Sequence, residues 1–247
     1  MKQSYLENEK RITVVRKDGK KIVGYINQKK SDTVLLMCSG AQPLNTVRNF
    51  FHFLALYHTI LPFPVLRFDF IGTGESDLGN LVDVQQRIDD LKTMVAHCRN
   101  KWKRVVLYAP SMGTLIAILA ICDGLKIDKL ISVNGLFNFK KVGLPVKYQV
   151  WLYRLAKPAE YQRQYAYVKH HYDESKVKLP TMVVYSSKDT WINPQQAIDF
   201  YNRYPNNKVL YELKGANHLG QLGKNLSEAN NKLTRDFLAE VKKFVIR

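Results

Sequence analysis

The sequence predicts an α/β fold in which a mostly parallel central sheet is covered by helices on both faces and carries a lid insertion. Three observations predict it. The chain opens with a hairpin signal, short strand-like apolar runs then alternate with helix-like segments, and Gly- or Pro-bearing turns separate them. An antiparallel start followed by repeated strand–helix units is the pattern of a parallel sheet with right-handed crossovers. At 247 residues the chain is of ordinary size for one such domain, taken here as residues 1–247.

The elements follow in order. Arg11 to Arg16 and Lys21 to Asn27 are β-rich runs flanking Asp18-Gly19, a turn dipeptide suited to a hairpin. Thr33 to Cys38 (TVLLMC) is continuously apolar, as a strand buried on both faces must be. Leu44 to Leu61 reads as an amphipathic helix stopped by Pro62 and Pro64. Val65 to Asp69 is the next strand, followed by the turn Gly72-Thr73-Gly74, a helix over Leu81 to Arg99 and a strand over Arg104 to Ala109. Thr114 to Ile121 is an apolar helix, Lys129 to Val133 and Thr181 to Ser186 are strands, and Pro194 to Tyr204 is a helix. Val209 to Leu213 is the last strand, and Leu226 to Val245 closes the chain as a long amphipathic helix.

Between Gly135 and Pro180 the rhythm breaks. No clean strand–helix pair is visible there, but aromatic and basic residues are dense, among them Tyr148, Trp151, Tyr153, Tyr161 and Tyr165. An insertion at this point of such a sheet reads as a lid of about residues 136–179.

Composition narrows the classes of function. Three cysteines, Cys38, Cys98 and Cys122, are too few and odd in number for a disulfide framework and fit a reducing compartment. No cysteine–histidine spacing suggests a metal, and His170 and His171 read as surface or lid residues. The N-terminal MKQSYLENEKRITVV lacks the apolar core of a secretory signal. The longest apolar run, Leu115 to Cys122, is too short to span a bilayer, so the expected location is cytoplasmic. The net charge of +17 is the one unusual bulk property. A uniformly lysine-rich surface accounts for it most simply. The functional reading is an anionic partner, such as a coenzyme A thioester, an acidic carrier protein or a lipid surface. Nucleic acid is not expected, because no recognition motif accompanies the charge.

The segment that carries chemistry is Arg104-Val-Val-Leu-Tyr-Ala-Pro-Ser-Met-Gly113. A buried strand runs into Ala109-Pro110-Ser111-Met112-Gly113, and an apolar helix follows at once. A serine on so tight a strand-to-helix turn needs small neighbours two places away, here Ala109 and Gly113. Such a turn presents Ser111 at a helix N-terminus, where the Met112 N–H is placed to stabilise an oxyanion. Only three histidines follow Ser111. Of these, His218, in Lys214-Gly-Ala-Asn-His-Leu-Gly220, comes directly after the last strand. Asp189 lies just past the strand Thr181 to Ser186, where its carboxylate can fix the tautomer of His218. The order Ser111, Asp189, His218, with each residue at a strand end, marks nucleophile, orienting acid and base. A second oxyanion donor is expected from Ser39-Gly40-Ala41-Gln42-Pro43, with the Ala41 N–H as candidate. No cofactor is required by this set.

These residues resemble the α/β-hydrolase superfamily over nearly the whole chain. Leu66-Arg-Phe-Asp-Phe-Ile-Gly-Thr-Gly-Glu-Ser-Asp77 is similar to that superfamily's D-x-x-G-x-G-x-S turn, which implies a structural role. Ser39-Gly40 stands where many members have His-Gly. Within the superfamily the chain resembles the serine aminopeptidase-like and monoglyceride lipase-like hydrolases, and in part the acyltransferase-thioesterase of bacterial luminescence. The resemblance and the serine nucleophile together imply cleavage of a small-molecule carboxylic ester or acyl thioester through an acyl-enzyme. A peptidase or amidase of the same fold, and a non-catalytic binder of acyl groups or nucleic acid, remain the alternatives.

Overall fold

The computed structural model of the chain describes residues 8–41, 56–80, 83–138, 143–204, 207–222 and 228–247. Eight strands form one sheet: β1 (Glu9–Val15), β2 (Lys21–Asn27), β3 (Thr33–Met37), β4 (Val65–Phe68), β5 (Arg104–Pro110), β6 (Lys129–Val133), β7 (Thr181–Ser186) and β8 (Lys208–Leu213). Their spatial order is β1-β2-β4-β3-β5-β6-β7-β8. β2 is antiparallel to both β1 and β4, and every other pairing is parallel, so β2 alone runs against the rest. The hairpin is closed at Asp18-Gly19 as its residues dictate. Gly19 adopts φ 84°, and the Arg16 N–H donates to the Lys20 carbonyl at 2.9 Å.

Helices α1 (Val84–Arg99), α2 (Met112–Cys122), α3 (Leu144–Ala156), α4 (Pro158–His171), α5 (Gln195–Arg203) and α6 (Glu228–Ile246) connect and follow the strands. Residues 56–60 are also helical; the remainder of the helix expected over Leu44 to Leu61 lies outside the described residues. α1 is capped by Asp83, whose side chain accepts from the Gln86 N–H.

The two-residue alternation of a strand divides the core. On β3, Val34 and Leu36 face α1 and α2 with Ile88, Leu91, Ile116 and Leu119. Leu35 and Met37 face the opposite layer with Tyr57, Leu61, Leu238 and Val241. This is why TVLLM has no polar position: both faces of β3 are covered. The Asp69–Asp77 turn is built as its resemblance implied. Gly72 and Gly74 take positive φ, Ser76 Oγ donates to the Asp69 carbonyl at 2.6 Å, and the Val23 N–H donates to Ser76 Oγ at 2.9 Å.

The stretch after β6 differs from the irregular region expected, because it holds the two helices α3 and α4. Their sequences carry prolines at positions 145 and 158, which look like helix breakers. Both stand in the first helical turn, where the missing N–H has no intrahelical partner to lose.

At the β1 edge a buried charge cluster ties the hairpin to the sheet. The Arg67 guanidinium donates to Glu9 through Nε at 2.9 Å and Nη2 at 2.6 Å, with both side chains fully buried. His58 Nε2 lies 3.5 Å from Glu9 Oε1. Burial, reinforced by Arg67 and Lys29 and opposed by Glu9, lowers the His58 pKa from 6.5 to about 4. The folded state thus holds this imidazole neutral, while the unfolded chain protonates it below pH 6.5. Its contribution to stability is therefore complete above about pH 6.5 and is lost as pH falls toward 4. The full shift corresponds to about 3 kcal/mol. Melting temperatures measured from pH 7 to pH 4 should fall less steeply for His58→Gln than for the natural chain.

Candidate active site

β5 ends in Pro110, and the chain then turns through Ser111 at φ 52°, ψ −122° before α2 begins at Met112. A side chain rarely occupies this region, and here it lifts the hydroxyl above the ends of the strands. The turn is bonded on both sides. The Ser111 N–H donates to the Val133 carbonyl at 2.9 Å, and the Ser111 carbonyl accepts from Leu136 N–H at 3.0 Å and Thr114 N–H at 3.1 Å. Small residues are needed on its flanks. A Cβ on Gly113 would lie 2.9 Å from the Ser39 carbonyl oxygen and 3.1 Å from Cys38 Sγ. Cys38 itself is enclosed, and burial pushes its thiol up to about 12.

His218 arrives on the loop after β8. That loop is held by the Lys188 N–H on the Ala216 carbonyl at 3.0 Å and by the Asn217 side chain on the Leu219 N–H at 2.9 Å. His218 Nε2 lies 3.1 Å from Ser111 Oγ, and Nδ1 lies 2.7 Å from Asp189 Oδ2. A carboxylate oxygen accepts, so Nδ1 carries the proton and Nε2 presents its lone pair to the serine hydroxyl. Asp189 is itself anchored, since its other oxygen accepts from the Trp191 N–H at 2.8 Å and the Ile192 N–H at 3.0 Å. The indole of Trp191 lies parallel to the imidazole, with centroids 5.3 Å apart and planes 7° apart. The ring of His218 is thereby confined in direction by Asp189 and in plane by Trp191.

The sequence-chosen residues Ser111, Asp189 and His218 meet in one hydrogen-bonded line. Met112 is the first residue of α2, and its N–H has no intrahelical acceptor. Ala41 is exposed at the mouth of the neighbouring loop, and its N–H has no hydrogen-bond acceptor among the described residues. Gly40, just before it, packs on the nucleophile: a Cβ there would lie 3.2 Å from Ser111 Cβ and 3.8 Å from Oγ. Gln42 and Pro43 lie outside the described residues. His170 and His171 end α4, where the His171 ring stacks on Tyr167. Among the described residues no group of three His, Cys, Asp or Glu side chains could hold a metal ion.

Sequence reasoning missed Asn134. This buried residue takes φ 48° directly after β6, and its amide donates to Ser186 Oγ at 2.9 Å and to the His218 carbonyl at 2.8 Å. Its Oδ1 accepts from the Ser186 N–H at 2.7 Å. One side chain thus joins the ends of β6 and β7 to the backbone of His218. The signal was Asn134-Gly135 at a strand end, where asparagine is among the few residues that tolerate a left-handed turn. It reads as an ordinary turn until the partners are seen. Trp191 was likewise visible in the sequence but carried no period or motif.

The eight-stranded sheet, with its serine on a strained strand-to-helix turn, is an α/β-hydrolase fold, and solved structures agree. The chain is similar to the Pyrococcus furiosus esterase Pf2001, with 22% identity, a TM-score of 0.70, and coverage of 97% of this chain and 90% of that one. It is similar to an alpha-beta serine hydrolase homologue from Coxiella burnetii at 18% identity and a TM-score of 0.62, covering 94% of this chain and 99% of that one. It is also similar to Est1E from Butyrivibrio proteoclasticus, a structure with ferulic acid bound, at 16% identity and a TM-score of 0.68, covering 93% and 98%. No curated protein matches the chain by sequence. Residues 32–173 match the family described as Serine aminopeptidase, S33. The chain belongs to that family and is an α/β serine hydrolase.

Asn134→Ala should lower stability by about 2–3 kcal/mol, because the buried Ser186 N–H loses its acceptor. Chemical denaturation tests this. Asn134→Gly, which accepts φ 48° but lacks the amide, should recover only the backbone part of the loss.

Proposed function

We propose that the chain hydrolyses carboxylic esters or acyl thioesters through an acyl-Ser111 intermediate, with His218 as base and Asp189 as its orienting acid. The observation that carries this reading is the line from Ser111 Oγ to His218 Nε2 at 3.1 Å and from Nδ1 to Asp189 at 2.7 Å, built on a serine at φ 52°. In the proposed reaction Ser111 Oγ bonds to the acyl carbon as its proton passes to His218 Nε2, and the carbonyl π pair becomes an oxyanion. The N–H groups of Met112 and Ala41 are the proposed donors to that oxyanion. Collapse expels the alcohol or thiol, which takes the proton from His218. Water then repeats the sequence on the acyl-serine and restores the hydroxyl.

The segment 136–179 is proposed to act as a lid over the acyl site. Its helices are docked on the site's own framework. The Gly143 N–H donates to the Trp191 carbonyl at 2.7 Å, and a Cβ on Gly143 would strike the Thr190 carbonyl oxygen. The Val84 N–H donates to Gln164 at 3.0 Å. Trp151, Leu152 and Leu155 are exposed on α3, an apolar surface suited to an acyl chain or its carrier.

The basic residues of this segment are the ones proposed to meet an anionic carrier such as coenzyme A; of these, Lys140 and Lys141 lie outside the described residues. Arg163 is within 3.6 Å of Asp83, and Lys157 within 3.5 Å of Glu160, so their charges are partly matched. Lys147 and Arg154 are exposed and have no ion pair among the described residues. Charge reversal at these two should therefore weaken an acyl-coenzyme A substrate selectively.

A fluorophosphonate probe should label the natural chain and not Ser111→Ala. In a screen of p-nitrophenyl esters, acyl-coenzyme A thioesters and aminoacyl p-nitroanilides, ester or thioester turnover should fall about 10⁴-fold or more in Ser111→Ala. Asp189→Asn should retain more activity than His218→Ala. Turnover of the anilides alone would replace this reading with a peptidase. Raising salt should weaken acyl-coenzyme A turnover more than that of a neutral short ester, since exposed charges are screened over about 10 Å at 0.1 M. Equal responses would make the basic surface a solvated one.

A further inference from the structure

Arg87 stands in the first turn of α1, between Gln86 and Ile88, where the helix period alone predicts an apolar core position. It is 2% exposed, and its guanidinium lies over the Phe70 ring at 4.8 Å. Burying an arginine is costly unless its donors are used. Nη1 donates to the Gly40 carbonyl at 2.9 Å, across 47 residues of sequence. The charge is balanced nearby by Asp90, which also accepts from Arg16 at 2.9 Å and from the Ile71 N–H at 2.9 Å. Burial draws the Arg87 pKa down to about 10, so the group stays a cation at neutral pH.

The acceptor matters more than the bond. Gly40 is the residue packed on Ser111, where a Cβ would crowd the Pro110 carbonyl oxygen and Ser111 Cβ, each at 3.2 Å. Its carbonyl belongs to the same planar unit as the Ala41 N–H, and that peptide is trans. In a trans peptide the C=O and the following N–H point in opposite directions. A cation that holds the Gly40 oxygen on the core side therefore aims the Ala41 N–H away from the core. It also draws electron density toward the oxygen and leaves the N–H a stronger donor.

We infer that Arg87 is a positioning residue that fixes and polarises the 40–41 peptide as an oxyanion donor. This rests on the proposed acyl-transfer reaction and on the Ala41 donor within it. Arg87 touches no reacting atom. It acts through the peptide it holds, and its effect should grow as charge develops on the carbonyl oxygen.

The test uses the full chain, p-nitrophenyl butyrate as substrate, and an alkylthio-trifluoromethyl ketone as a probe of the tetrahedral state. With the ketone, Ser111 Oγ bonds to the carbonyl carbon, its proton passes to His218, and the π pair stays on oxygen as an anion. Arg87→Met keeps length and apolar packing, and Arg87→Lys keeps the charge without the fork. The expected result for Arg87→Met is a fall in kcat of about 10- to 100-fold with KM within about threefold, and ketone affinity weakened by the same factor as kcat/KM. Arg87→Lys should lie between Arg87→Met and the natural chain in both quantities. A folded Arg87→Met that keeps kcat and ketone affinity within about threefold overturns the inference, as does a loss of kcat with unchanged ketone affinity. Failure of both variants to fold would assign Arg87 to the core and overturn it too. A natural chain that cleaves no ester or thioester and binds no ketone removes the underlying reaction. An active natural chain with an indifferent Arg87 removes this inference alone.

Discussion

The parallel pairing of β3 with β5 is the constraint on which the site depends. The two strands run in register from Thr33↔Arg104 to Met37↔Tyr108, and the Cys38 N–H extends the ladder onto the Tyr108 carbonyl at 3.0 Å. β3 has β4 on its other side, so the chain leaves β3 and β5 toward opposite edges of the sheet. Such a reversal opens a crevice at the C-terminal ends of the strands. Two loops enter it side by side, Ser39-Gly40-Ala41 and Pro110-Ser111-Met112. The absence of side chains at Gly40 and Gly113 is the steric result, because each faces the backbone or side chain of the other loop. A shift of one strand by one residue would separate them and exchange the two buried faces of β3, mismatching each set of side chains with the layer it packs against.

The strands were readable because they obey simple rules. Continuous apolar runs such as TVLLM mark burial on both faces, and Asp18-Gly19 fixes a hairpin by local geometry alone. β2, β6 and β7 have the boundaries that the sequence predicted. Ser111, Asp189 and His218 could be selected because order along the chain and position after a strand are both linear properties. What stayed hidden depends on distant partners. Asn134 looks like a turn until Ser186 and His218 fold onto it, and Arg87, a charge at a core position of its helix, has no visible reason until the Gly40 carbonyl folds against it. α3 and α4 were obscured by prolines that start helices as readily as they end them.

The α3–α4 pair is not an independent module placed over the sheet. Gln196 of α5 accepts from the Phe137 N–H at 2.9 Å and the Asn138 N–H at 2.6 Å, which holds the chain as it leaves β6. Gly143 then binds the Asp189–Trp191 loop, and Gln164 reaches the start of α1. The start of α3 and the loop that carries Asp189 therefore share a backbone hydrogen bond.

Ser111 has a consequence of another kind. A non-glycine residue at φ 52° and ψ −122° costs about 1–3 kcal/mol in backbone strain. Glycine would relieve that strain, so at this position chain stability and serine chemistry pull in opposite directions. A lineage selected only for a well-folded scaffold would drift toward glycine here. On the proposed acyl-serine reaction only selection for turnover would hold a serine here, so residue 111 would record whether that activity is still in use.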